Sequence, residues 1–200
     1  MDLVAHLISA GWASGVNAYL TVAMLSLIGR SGAVEVPAEL TSDPILYGSL
    51  VMFAIEFVTD KVPLLDSAWD VIHTAVRPAI GTAVGFEFAS DASVSGFEEW
   101  MSGVASGGTA LASHAVKAGL RLGINASPEP VTNVAASLTE DGLVAAVIAF
   151  SVEQPEIAAA IAIVLLIAGT ALVIYIWSRI RRTLVRLMEK PRWRLPPRSR

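Results

Sequence analysis

The sequence predicts an all-α integral membrane protein of about six transmembrane helices, built as an inverted three-plus-three repeat with both termini cytoplasmic. Three observations predict it. The 200 residues are 54% hydrophobic and 16% charged, with a mean hydropathy of +0.61, whereas soluble domains carry nearer a quarter charged residues. Apolar runs close to the roughly 20 residues that a spanning helix needs recur along the chain. Charge is also segregated: nine of the 14 Lys and Arg, but one of the 18 Asp and Glu, lie from Ser178 onward. A basic cytoplasmic tail (178–200) on an acidic membrane domain (1–177) is the simplest account. The tail follows directly from an apolar run, so nucleic-acid binding is not expected.

The elements follow in order. Val4 to Gly29 is uncharged for 26 residues, enough for one continuous span. Met1 and Asp2 supply no basic leader, which makes this a retained span and not a signal peptide. Arg30 to Asp43 is a polar loop with Pro37. Pro44 to Thr59, apolar except for Glu56, is the second span, and Thr59 to Asp66 turns around Pro63. Ser67 to Phe88 is the third, and Glu87 to Trp100 an acidic loop. Met101 to Leu122 is the fourth, rich in small residues, followed by a turn to Thr132. Asn133 to Val152 is the fifth, broken or frayed near Glu140 and Asp141. Ile157 to Trp177, 21 uncharged residues, is the sixth. RIRRTLVRLMEK then extends as a basic amphipathic helix before a Pro-rich end.

Six spans place both ends on one side, and the basic tail makes that side cytoplasmic. The turns holding Lys61 and Lys117 with Arg121 are then also inside. Twelve of the 14 basic residues lie in the cytoplasm, Arg30 and Arg77 excepted.

The third span carries the chemistry. Asp66, Asp70, His73 and Arg77 recur at i, i+4, i+7 and i+11, which on a helix of about 100° per residue is an arc of roughly 60°. Such a stripe cannot face lipid cheaply and must face helices or water. The hairpin turn at Pro63 to Leu65 sets Glu56 at the depth of His73, within reach of Arg77. Ser67-x-x-Asp70 also fits a capping box, a purely structural role for Asp66 and Asp70. Asn17 and Ser14 add polarity to the first span. A metal held by Asp66, Asp70 and His73 is not expected, because Asp66 and His73 lie about 10 Å apart along the axis. His6 and His114 fit polar packing. The pairs Gly11/Gly15, Gly81/Gly85 and Gly103/Gly107 fit close helix contacts.

Other chemistries find no motif. There is no cysteine, which excludes disulfides and thiolate sites. No nucleophile elbow, phosphate loop or zinc-hydrolase helix occurs, so neither enzyme activity nor a cofactor is expected.

The halves 4–88 and 101–177 echo each other. Ala13-Ser14-Gly15-Val16-Asn17-Ala18 matches Ala105-Ser106-Gly107-Gly108-Thr109-Ala110, and Leu50-Val51, Ile55, Phe57 and Asp60 match Leu143-Val144, Ile148, Phe150 and Glu153. Three spans per half is odd, so the second half is upside down, as in many secondary transporters. The stripe is not duplicated: Ala159, Ile163, Leu166 and Thr170 stand opposite it. The second half instead offers His114, Lys117 and Arg121 on one face of the fourth helix, and Thr109 as the counterpart of Asn17.

The run Asp60-Lys61-x-Pro63-x-x-Asp66-x-x-Trp69-Asp70-x-x-His73-Thr74-x-x-Arg77-Pro78-x-x-Gly81, with the early segment Ser14 to Tyr19, resembles the signature of domain-of-unknown-function family 4126. The resemblance implies a small bacterial multi-pass membrane protein, in the inner (plasma) membrane, and it implies no activity.

The preferred expectation is a small transporter or channel for an ion or small polar solute. Glu56, Asp66, Asp70, His73, Arg77 and Asn17 line the path, with His73 or Glu56 exchanging protons if transport is proton-coupled. The rival is a structural or assembly protein whose stripe is a static network. A membrane enzyme acting on lipid headgroups comes third. Arg179, Arg182 and Arg186, at i, i+3 and i+7, suit anionic headgroups, and topology anchoring explains them equally well. A homo-oligomer is left open.

Overall fold

In the computed structural model, which describes residues 2–32, 34–125 and 130–188, the chain is all-helical. Seven α-helices lie among the described residues: α1 (Leu3–Val16), α2 (Ala18–Arg30), α3 (Asp43–Thr59), α4 (Pro63–Asp91), α5 (Gly96–Asn125), α6 (Pro130–Glu153) and α7 (Pro155–Met188). Two stretches, Val131–Glu153 and Pro155–Thr183, are long and apolar enough to cross a membrane.

Small residues decide which helices come closest. α4 and α5 form the most extensive contact, and α1 lies across both. All three glycine pairs fall on this three-helix seam. A β-carbon on Gly15 would run into the Ala110 carbonyl and the Ser113 hydroxyl of α5. One on Gly107 would run into Thr82 of α4. Backbones this near leave no room for a larger residue. The apolar core then gathers around Trp12, Val16, Leu25, Val84, Phe88, Val147 and Ile148, where α1 and α2 meet α4 and α6.

Four sequence expectations need correction. Val4 to Gly29 is not one helix: it breaks at Asn17 into α1 and α2. α6 runs unbroken through Glu140 and Asp141, because their carboxylates point at partners on other helices. The turn containing Lys117 and Arg121 does not exist as such. Both residues lie within α5, 3% and 1% exposed. The capping box fails as well, since α4 starts earlier, at Pro63, with no side-chain cap. Asp66 still sits in the first turn of α4, where the helix dipole favours an anion.

The loops are shorter than expected. α4 and α5 extend to within a few residues of each other, and the link from α2 to α3 contains a short 3-10 turn, Ala38–Thr41. Arg30 closes that link on Asp43 at 2.5 Å. α7 continues into the basic segment as far as Met188, and residues 189–200 of the expected tail lie outside the described residues.

Candidate functional site

Asn17 joins two half-helices end to end inside the protein, with extended backbone (φ −148°, ψ 98°) and 1% exposure. Asparagine competes well with helix geometry, because its short side chain bonds to nearby backbone. Here its Oδ1 accepts from the Leu20 N–H at 2.9 Å and caps α2. Its Nδ2 donates to Asp141 Oδ1 at 2.9 Å. Thr109, the expected counterpart, packs near Gly11 instead. At the other half-helix, Lys117 Nζ donates to the Val16 carbonyl at 3.1 Å. A cation thus sits at the C-terminus of α1 and an acid beside the N-terminus of α2, each complementing the local helix dipole.

Arg77 of α4 gathers the stripe. Its NH2 donates to Glu56 Oε1 at 2.6 Å, and its NH1 to Asp70 Oδ1 at 3.1 Å and His114 Nδ1 at 2.7 Å. A guanidinium only donates, so Nδ1 of His114 is the bare nitrogen and the ring is neutral. Its Nε2–H then donates to Thr74 Oγ1 at 3.1 Å, and Thr74 donates onward to the Asp70 carbonyl. The partners on the two nitrogens assign this tautomer.

His73 turns away from the ion pairs. It stacks on Trp69 with centroids 4.7 Å apart, donates from Nδ1 to the Trp69 carbonyl, and faces the Tyr19 hydroxyl of α2 at 3.1 Å through Nε2.

A second centre lies on α5. Lys117 Nζ reaches Asp60 Oδ2 at 2.8 Å, Glu140 Oε2 at 3.5 Å and Glu56 Oε1 at 4.0 Å, so it links the two centres. Arg121 grips Glu140 with Nε and NH2, at 2.8 Å in the closest contact, and donates to Asn133 Oδ1 at 2.7 Å. Asp60 and Asp66 are its more distant acids, at 3.7 and 3.8 Å. Asn125 Nδ2 donates to Asp66 Oδ2 at 2.7 Å and to Ser67 Oγ.

The charge count is uneven. Glu56, Asp60, Asp66 and Asp70 are buried with Arg77, Lys117 and Arg121, and the half-buried Glu140, Asp141 and Lys61 border them. Lys61 lies over the Phe57 ring and donates to the Phe57 carbonyl. Several carboxylates use one oxygen only: among the described residues, Glu56 Oε2, Asp60 Oδ1, Asp66 Oδ1 and Asp141 Oδ2 have no hydrogen-bond partner. Removing ions from water is expensive unless pairing is complete. A network with surplus acid and open oxygens is therefore suited to taking up positive charge. Among the described residues no three His, Asp or Glu side chains converge as a metal cage.

Cavities touch the network on more than one side. One of about 120 Å³ between α4 and α5 is lined by Ser67, Asp70, Thr74 and Arg121. Another of about 240 Å³, mostly apolar, lies among α1, α5, α6 and α7 and reaches Lys117 and Glu140.

The sequence-predicted residues thus divide. Glu56, Asp70 and Arg77 meet directly, Asp66 joins through Arg121, Asn17 joins at the helix break, and His73 stands aside on Tyr19. Asp60, His114, Lys117, Arg121, Asn133, Glu140 and Asp141 were missed as network members. The periodic His114, Lys117 and Arg121 on α5 were the signal for them, a second stripe complementary in charge to the first. At the far end of α7, Arg179 and Arg182 are exposed and bond back to Tyr175 and Ser178. The side chain of Arg186 lies outside the described residues.

Fold and site together define an all-helical protein that holds a charged network inside a bundle of apolar helices. The chain belongs to the family described as a domain of unknown function (DUF4126), whose model matches residues 4–175. Comparison with curated proteins and with solved structures returns no match.

Proposed function

We propose that this protein is a small multi-pass transporter or channel of the bacterial inner membrane, passing an ion or small polar solute along the network. In this reading α1 and α2 together make the first span, α3 to α7 make the other five, and the halves form an inverted repeat. The observation that carries it is the break at Asn17. A helix interrupted inside a membrane is tolerated where the freed backbone lines a cavity or a site, and such half-helix ends are where many transporters bind their cargo. Here the break lies against Lys117 and Asp141, and the network continues from it to the cavity at Asp70 and Arg121.

The test is solute-dependent flux in proteoliposomes. Flux present in the wild type and lost in Arg77→Ala and His73→Ala, with folded protein recovered in each case, supports transport.

A second reading has its own observation. Glu56 and Arg77 are wholly buried against each other, as in a static brace that locks α3 to α4 in a structural or assembly protein. That reading expects the same variants to lose stability, with no flux in any form and a stoichiometric membrane partner after gentle solubilisation.

A further inference from the structure

Among the buried acids, Asp66 is the one that the cations serve least. It is 0% exposed. The cation near it, Arg121, is 3.8 Å away and already holds Glu140 through both Nε and NH2. Among the described residues its one close donor is the neutral amide of Asn125, on Oδ2, and Oδ1 has no hydrogen-bond partner. By contrast Glu56, Asp60 and Asp70 each have a cationic nitrogen within 3.1 Å. The groups facing Asp66 are Arg121 and Asn125 from α5, Asp70 from its own helix and Asp60 from the end of α3, so two of the three charged neighbours are acids.

We propose that Asp66 is a proton-binding site of the network, with the proton carried on the open oxygen Oδ1. Binding forms one O–H bond on Oδ1, removes one negative charge from an acid-rich interior, and leaves Oδ2 to accept from Asn125. Ser67, which shares the Asn125 amide with Asp66, lines the 120 Å³ cavity beside Asp70 and Arg121, and that cavity is the path by which the proton exchanges with water. The role of the site as the point where transport couples to protons rests on the transport reading; the binding event does not.

The experiment is a pH titration of the full chain in detergent micelles, followed by infrared absorption of protonated carboxyl groups. Wild type is expected to gain one buried-carboxyl proton in a single step, and Asp66→Asn to lose that step. Asn125→Ala removes the donor that favours the ionised form, so the midpoint rises by roughly half to one pH unit. This second variant keeps the test decisive where Asp66→Asn does not fold. An unchanged step in Asp66→Asn, or an unmoved midpoint in Asn125→Ala, overturns the proposal. So does a step that sodium or potassium chloride abolishes at constant pH, which assigns the site to a metal cation. Proton binding without flux in proteoliposomes upholds the site and sinks the transport reading. Flux with no Asp66 step does the reverse.

Discussion

Arg77 cannot shed its proton, so every residue around it is arranged for a permanent cation. Taking that cation away while its acids stay is the costly change. Arg77→Met strands Glu56 in the interior and is expected to lower stability by about 3–5 kcal/mol, the range for breaking a buried pair. Arg77→Met with Glu56→Gln is expected to recover much of that loss; denaturant unfolding in micelles, scored as a double-mutant cycle, measures it. Asn17→Ala removes a helix cap and the bond to Asp141, at about 1–2 kcal/mol. The stripe itself was legible because charge at helical spacing on an apolar span is conspicuous. Asp60 and Asp141 were not, because one looked like a turn residue and the other like a fray. The contacts that define both come from α5 and from Asn17, far along the chain.

At the scale of elements, α3, α4, α5 and α7 were legible as helices, since apolar or periodic runs bracketed by polar turns can be read from composition. The break between α1 and α2 was hidden for the same reason. Twenty-six uncharged residues satisfy any window, and nothing in their polarity distinguishes one helix from two. What breaks the helix is one asparagine and the partners that reach it from α5 and α6. The glycine pairs were legible as packing devices, although not which helices they join. Gly107→Leu is expected to push α4 from α5 and lower stability by at least the 1–3 kcal/mol typical of overpacking. Gly108→Ala, one position along and facing open space, serves as the control that leaves the melting temperature near the wild-type value.

For the whole molecule, composition pointed to the membrane class before any helix was drawn, and two helices are long and apolar enough to cross a membrane. Large apolar side chains such as Val71, Ile72, Phe97, Val164, Ile167 and Ile174 are exposed around the bundle, a surface that water would not tolerate without aggregation. The protein is expected to remain with membranes through high salt and to leave them in detergent. Because the chain has no cysteine, single cysteines at Asp2 and Thr183 can be labelled against a silent background. Modification of both from the same side of sealed vesicles is expected for an even number of crossings, and labelling from opposite sides counts against six. The inverted repeat was read from matched segments, and its helix break is not mirrored: α5 runs straight through Thr109, the position matched to Asn17.

The way α4 and α5 share their charges bears on how the protein is made. Among the described helices, the last two are long and apolar enough to cross lipid, and these emerge last from the ribosome. α4 carries Asp66, Asp70 and Arg77, and α5 carries Lys117 and Arg121, so neither segment enters hydrocarbon readily alone. Once side by side, α5 supplies the cations that α4's surplus acids need. On the six-span reading proposed above, newly made chains ending before α5 are expected to stay in the insertion channel or slip back out, and chains extended past Asn125 to partition as a pair.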